Sequence, residues 1–179
     1  MSVITFGPPK QLIDSTHSMR NVRPRRGAAP EEPDKEQKEQ LLAAIRRVEV
    51  VSRAFADAHT PPGSLEVRFW PTVDEEVEDR VPEPSPADQL LYRNWVTDMA
   101  RRLHDRVEVR NVPVQRVNCR MGQARSPTVV LAWLRLYHGL QPQHLRWALA
   151  ALQANNKAAG HVQPMDGSLD RFQGLLESL

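Results

Sequence analysis

The spacing of hydrophobic positions changes along the chain, and each stretch favours one type of secondary structure. Strand-like patterns, with period-two alternation or runs of β-branched residues, occupy residues 2–6, 11–14, 48–51, 65–69 and 112–117, the last of which leads into Cys119. Apolar residues recur at helical spacing in residues 34–47, 87–104, 126–138, 142–154 and 167–178. Strands that alternate with helices predict a single α/β domain with a mostly parallel central sheet flanked by helices.

Some elements carry signals beyond their period. Asp34 is placed to cap the first helix, and Gln37 stands three residues later in the reciprocal position of a capping box. The segment 126–138 is apolar on nearly every side, which predicts a buried central helix. Gly139 is the residue expected to end that helix. A central parallel strand is usually apolar throughout, so Arg116 in the strand before Cys119 needs a partner.

Composition excludes several classes of protein. The chain has 179 residues, of which 40% are apolar, enough for one domain with a sizeable core. No run approaches the 18 apolar residues of a membrane-spanning helix, so we expect no membrane span. The single cysteine, Cys119, excludes an internal disulfide and a cysteine-rich zinc site. We therefore expect an intracellular protein, in the cytoplasm.

The charge is unevenly distributed. The chain has a net charge of +2, whereas residues 1–30 alone hold five basic residues and one acid. We divide the chain into a basic arm with short strands and a loop insertion (1–33) and a domain (34–179). The domain is near neutral, which gives no indication of a nucleic-acid-binding face over the whole surface. The arm is suited to contact RNA or an acidic protein surface, and its acid-poor composition keeps a mitochondrial location open.

The residues around the cysteine form a pattern with a specific chemistry. Cys119 follows a predicted strand, Arg125 follows it by six positions, and a predicted helix begins directly afterwards. A short loop between strand and helix can turn its N–H groups inward around an anion, and the helix N-terminus adds positive charge. Gly122 permits the bend, and the planar Arg125 guanidinium can hold two phosphate oxygens. A thiol at the centre of such a loop should be a reactive thiolate.

This segment resembles the signature loop of the cysteine-dependent protein phosphatases, and most of all that of the dual-specificity subfamily. The segments "LLAAIRRVEVVSRAFA", "LEVRFWPTVDEE", "SPTVVLAWLRLYHGLQPQHLRWALAALQ" and "MDGSLDRFQGLLESL" also resemble parts of that family's domain. The resemblance implies the family's fold and hydrolysis of phosphoserine, phosphothreonine and phosphotyrosine esters through a cysteinyl-phosphate intermediate. It implies neither a metal nor a cofactor.

The resemblance assigns the site residue by residue. Cys119 is the nucleophile, Arg125 is a catalytic phosphate ligand, and Asp74 is the general acid. The implied phosphate-binding residues are Arg120, Met121, Gly122, Gln123, Ala124, Arg125 and Ser126, and Ser126 also assists the second step. The partner is a phosphorylated protein or another phosphate-bearing ligand.

Several features depart from the family pattern. Asn118 stands where the family has a histidine. Asp74 lies farther before the cysteine than is typical, so Asp88 remains an alternative acid. The segment 71–88 holds seven acids and one arginine, which favours substrates with basic flanks. These departures leave a second function open, in which a weak or inactive phosphatase-fold protein serves as a structural or phospho-binding subunit of a large assembly such as a ribosome, mitoribosome or cytoskeleton.

Overall fold

Helices and strands follow one another largely in the predicted order. A computed structural model of the chain describes residues 3–7, 30–59, 65–69, 86–119, 121–161, 163–164 and 167–179. The strands are β1 (Val3–Gly7), β2 (Val48–Ser52), β3 (Leu65–Phe69) and β4 (Gln115–Cys119). The helices are α1 (Lys35–Ile45), α2 (Arg53–His59), α3 (Pro86–His104), α4 (Arg125–Tyr137), α5 (Leu145–Ala158) and α6 (Gly167–Glu177).

The four described strands form one parallel sheet in the order β2-β4-β1-β3. The predicted α/β class with a parallel sheet is confirmed. In the register of β2 with β4, Glu49 lies opposite Arg116 and Ser52 lies opposite Cys119. The strand that carries the cysteine is thus an inner strand, with pairing partners on both sides.

Helices cover both faces of the sheet. On one face, Val50 and Val117 join the main core with residues of α1, α3, α4, α5 and α6. On the other face, Val51 packs with Ala56 and Phe55 of α2. The main core includes α4, which is buried without interruption from Ser126 to Leu134, as its apolar sequence predicts. The buried α4 gives the loop before it a rigid base.

The start of α1 follows the sequence prediction in one half of the capping box. The Asp34 side chain accepts a hydrogen bond of 2.9 Å from the backbone N–H of Gln37. The Gln37 side chain makes a contact that was not predicted, because its amide donates to the carbonyl of Gly139 at 2.7 Å. Gly139 follows the end of α4 with a φ of 69°, as expected for the glycine that ends a helix. Gln37 therefore ties α1 to the end of α4.

Other boundaries differ from the prediction. The seven-residue α2 was not predicted, and a π-helical turn (Asp105–Val109) extends α3. The last strand begins at Gln115 rather than at residue 112, because the N–H of Val112 donates to the Arg106 carbonyl of that turn. The predicted strand 11–14 lies outside the described residues, as do most residues of the predicted loops over 15–33 and 71–88, and the boundary at residue 33 stays a prediction.

The outer edge of β2 is closed by a side chain. Asn156 of α5 is fully buried, accepts a hydrogen bond from the N–H of Val50 at 3.1 Å and donates to the Val50 carbonyl at 2.7 Å. The side-chain amide thus replaces one residue of a neighbouring strand on an edge that would otherwise be open. In the part of the chain that the structure describes, no helix has both the length and the apolar character for crossing a membrane.

Candidate active site

The candidate nucleophile lies where the inner strand ends and the buried helix begins. Cys119 is the last residue of β4, and α4 begins six residues later at Arg125. Its side chain is buried, with 3% of its surface exposed. Because the strands are parallel, their carboxyl ends meet at one edge of the sheet, where parallel α/β folds commonly bind ligands.

The loop between them needs a glycine. Gly122 is buried and has a φ of 73°, a left-handed conformation that other residues adopt only under strain. The loop then enters α4 through Ala124, whose carbonyl accepts bonds from the N–H and the hydroxyl of Thr128 at 3.1 and 2.9 Å. Ser126 and Pro127 are buried in the first turn. The turn fixes the orientation of the loop relative to Cys119.

The surroundings of the thiol favour its charged form. Burial alone raises the pKa of Cys119, but hydrogen bonding from the hydroxyl and the backbone N–H of Ser126 lowers it. The charge of Arg125 and the backbone N–H of Gly122 act in the same direction, and the net pKa lies below the ordinary value of a thiol. The structure therefore brings three other predicted site residues, Gly122, Arg125 and Ser126, close to the sulfur atom of Cys119.

The Ser126 hydroxyl is available to the sulfur because no other group competes for it. Its Oγ is buried and makes no hydrogen bond to a nitrogen or oxygen atom of the described residues. A serine hydroxyl rotates about its C–O bond, so its hydrogen is available to the neighbouring sulfur. The hydroxyl can therefore donate a hydrogen bond to the thiolate, which acts only as an acceptor.

The sequence predicts that Arg116 in the inner strand needs a partner for its charge, and the structure provides one. Its Nε donates to the Glu49 carboxylate at 3.0 Å, and its guanidinium lies 5.2 Å from the centre of the Phe55 ring. The same carboxylate oxygen lies 3.1 Å from Nε2 of His161.

Asn118 stands where the resemblance would place a histidine, and its side chain is fully buried. In the sheet register it lies opposite Val51 of β2 on one side and Thr5 of β1 on the other.

The remaining predicted site residues are distributed as follows. Met121 is exposed in the loop, with 54% of its surface accessible, while Gln123 and Ala124 are partly buried. Arg120 and Asp74 lie outside the described residues. Asp88, the alternative acid, is the third residue of α3. The roles assigned to Asp74 and Asp88 stay predictions.

Sequence reasoning missed the end of β2, which lies beside the cysteine. Ser52 stands opposite Cys119, and its Oγ accepts a hydrogen bond from the N–H of Phe55 at 3.2 Å. Arg53 follows at the start of α2 and donates from Nε to both carboxylate oxygens of Asp57, at 2.7 and 2.9 Å. The serine cap and the Arg53–Asp57 spacing of four were signals for a short helix here.

Over the described ranges, no three His, Cys, Asp or Glu side chains are grouped so that they could hold a metal ion.

Comparisons with known proteins add a distant structural similarity. No protein-family model matches the chain, and no curated protein matches it. Among solved structures, it is similar to the one described as the crystal structure of Tk-PTP in the active form, at 22% sequence identity. The alignment covers 79% of this chain and 86% of that chain, with a TM-score of 0.35.

Proposed function

We propose that the chain is a cysteine-dependent phosphatase of the dual-specificity type, which hydrolyses phosphate esters of serine, threonine and tyrosine in proteins. One observation carries the proposal: a buried thiol lies at the start of a strand–loop–helix turn, and the N–H groups of Gly122 and Ser126, with the charge of Arg125, lower its pKa. A structural cysteine gains nothing from a lowered pKa, whereas a nucleophile requires it.

In the first step, the Cys119 thiolate attacks the phosphorus atom of the ester. A sulfur–phosphorus bond forms while the bond from phosphorus to the ester oxygen breaks. Arg125 and the N–H groups of the loop balance the charge on the three remaining phosphate oxygens. The same donors that lower the pKa of the free thiol then stabilise the transferred phosphoryl group.

The leaving oxygen takes its proton from Asp74 in this proposal. In the sheet order, β3 lies two positions from β4, or about 10 Å at ordinary strand spacing. Five residues from Phe69, where β3 ends, to Asp74 span up to about 17 Å when extended. The chain is thus long enough to bring Asp74 to the thiol. Asp88, at the start of α3, is the alternative.

In the second step, water attacks the phosphorus atom and gives its proton to the carboxylate that acted as the acid. The sulfur–phosphorus bond breaks, inorganic phosphate forms, and the thiolate is restored. Ser126 assists here, since a hydroxyl that donates to the sulfur stabilises the departing thiolate. This cycle returns every group to its starting protonation state.

The experiment is turnover of a small aryl phosphate by purified protein under reducing conditions. We expect activity in the wild type and its loss in Cys119→Ser and Arg125→Ala. Arg110→Ala is the matched control, because this exposed arginine precedes β4 at the opposite end of the strand. An inactive wild type with intact secondary structure would refute the enzyme proposal.

A second candidate function rests on Asn118, which supplies no charge at the position of the family histidine. In this alternative the loop binds phosphate without turnover, as part of a larger assembly. Equilibrium binding of a phosphopeptide to an inactive wild type, abolished by Arg125→Ala, would support it. Activity gained by Asn118→His alone would also favour a site that has lost its catalytic function.

A further inference from the structure

The end of β2 places a cation close to the candidate nucleophile. Ser52, the last residue of β2, stands opposite Cys119, and Arg53 follows it. Neighbouring strands lie about 4.8 Å apart and consecutive Cα atoms about 3.8 Å apart, so the Cα atoms of Arg53 and Cys119 lie within about 9 Å. Arg53 is therefore at the same sheet edge as the phosphate-binding loop, directly after the end of the neighbouring strand.

The backbone of α2 is fixed at this position. Ser52 Oγ accepts from the N–H of Phe55, and the Phe55 ring lies against the Arg116 guanidinium and, edge-on at 4.8 Å, against the His161 ring. The helix also contacts β4 directly. The main chain of Arg53 is thus held at a constant distance from the thiol.

The Arg53 side chain, by contrast, can be redirected. It is bound to Asp57 four residues along α2, and the two side chains are 41% and 51% exposed. Exposed ion pairs of this kind contribute little to stability. An anionic group on a bound substrate can therefore replace Asp57 as the partner of the guanidinium.

We propose that Arg53 is a specificity-determining residue that favours substrates with a second oxyanion, a carboxylate or a phosphate, next to the ester that Cys119 attacks. The inference rests on the proposed function of the same site. Arg125 holds the reacting phosphate, and Arg53 binds the neighbouring anion as a planar fork. The acidic segment 71–88 predicts the opposite preference, for substrates with basic flanks. A comparison of peptides with acidic and basic flanks therefore distinguishes the two predictions.

The test compares kcat/KM for four phosphopeptides that differ only beside the phosphorylated residue, which is flanked by alanine, aspartate, phosphoserine or lysine. Arg53→Ala should lower kcat/KM about tenfold for the aspartate and phosphoserine peptides, the effect of one charge-assisted hydrogen bond. It should raise kcat/KM for the lysine peptide and leave the alanine peptide and a small aryl phosphate within about twofold. An effect on the phosphoserine peptide alone identifies phosphate as the second anion.

Arg110→Ala is the control, because Arg110 forms a similar exposed pair with Asp105 away from this edge, with side chains 62% and 44% exposed. Asp57→Asn frees Arg53 and should strengthen the preference for acidic flanks. Equal losses in Arg53→Ala on all substrates, or no change on any, would overturn the inference.

Binding to Cys119→Ser separates this inference from the proposed function. If the wild type shows no turnover, the phosphatase proposal fails, yet Cys119→Ser should still bind the aspartate and phosphoserine peptides about tenfold more tightly than the alanine peptide. That preference should vanish in Cys119→Ser/Arg53→Ala. Equal binding of all four peptides by Cys119→Ser would overturn the inference, whatever the turnover shows.

Discussion

Glu49 of β2 lies directly opposite Arg116 of β4 and accepts a hydrogen bond from its guanidinium at 3.0 Å. Both side chains are mostly buried, with 15% of Arg116 and 21% of Glu49 exposed, and His161 approaches the same carboxylate. The pair allows an arginine to occupy an inner strand three residues before the candidate nucleophile.

We expect Glu49→Gln to lower the free energy of unfolding by about 2 kcal/mol, because it removes the countercharge of a largely buried guanidinium. Urea unfolding measures this change. Glu32→Gln is the control, since the Glu32–Lys38 pair is exposed and its loss should cost less than about 1 kcal/mol. Equal losses in the two variants would show that the Glu49–Arg116 pair behaves as a surface pair.

The thiolate absorbance of Cys119 should rise at a pH below the ordinary range of a thiol, roughly 8.5, because nearby hydrogen bonds and Arg125 lower its pKa. Ser126→Ala removes one donor and should move the rise to higher pH, with about a tenfold loss of activity near neutral pH. The signal is specific, since Cys119 is the only cysteine of the chain.

The same shift links pH to stability. Between the lowered pKa of the folded state and the ordinary pKa, only the unfolded chain holds the proton, so stability rises with pH relative to Cys119→Ser. This contribution is lost as the pH falls through the pKa of the folded state. A stability difference that does not change with pH would contradict a lowered pKa.

Asp74→Asn should reduce kcat about 100-fold for a phosphoserine peptide, whose leaving oxygen needs a proton, and less for an aryl phosphate with a good leaving group. It should also remove the decline of activity at high pH that marks a required acid. Asp88→Asn is the matched variant and should retain both the kcat of the wild type and the decline of its activity at high pH. If Asp88→Asn produces these losses instead, Asp88 is the acid.

Asn156→Leu should cost about 3 kcal/mol of stability, because the N–H and the carbonyl of Val50 both lose their buried partner. Asn94→Leu on the exposed side of α3 should change stability by less than about 0.5 kcal/mol. Chemical denaturation compares the two. A loss below about 1 kcal/mol in Asn156→Leu would mean that the edge of β2 does not depend on this side chain.

The parts of the structure that depend on neighbouring residues in the sequence were predictable. The period of Leu65–Phe69 gave β3 its bounds, and the sequence from Cys119 to Ser126 placed the loop because strand, loop and helix follow directly on one another. The short α2 was missed because its only buried residue is Ala56, which leaves no apolar period to detect.

Features that depend on distant pairing were not predictable. Arg53 lies near Cys119 only because β2 pairs with β4 in one particular register, and sequence spacing does not reveal that register. The late start of β4 has a more local cause, since the N–H of Val112 bonds to the π-helical turn six residues before it and Pro113 has no N–H for a strand pair. Long-range pairing thus decided which residues lie beside Cys119, and a nearby turn decided where β4 begins.

The position of β1 has a consequence for how the chain reaches its folded state. β1 pairs with β3 and β4, so its partners are synthesised long after it, and Ile4 meets Val117 only when most of the chain exists. Such distant pairing slows folding, since a large loop must close before any contact is gained. During synthesis, β1 therefore has no pairing partner until β3 and β4 have been made, and chaperones that bind extended apolar segments have access to it during that interval.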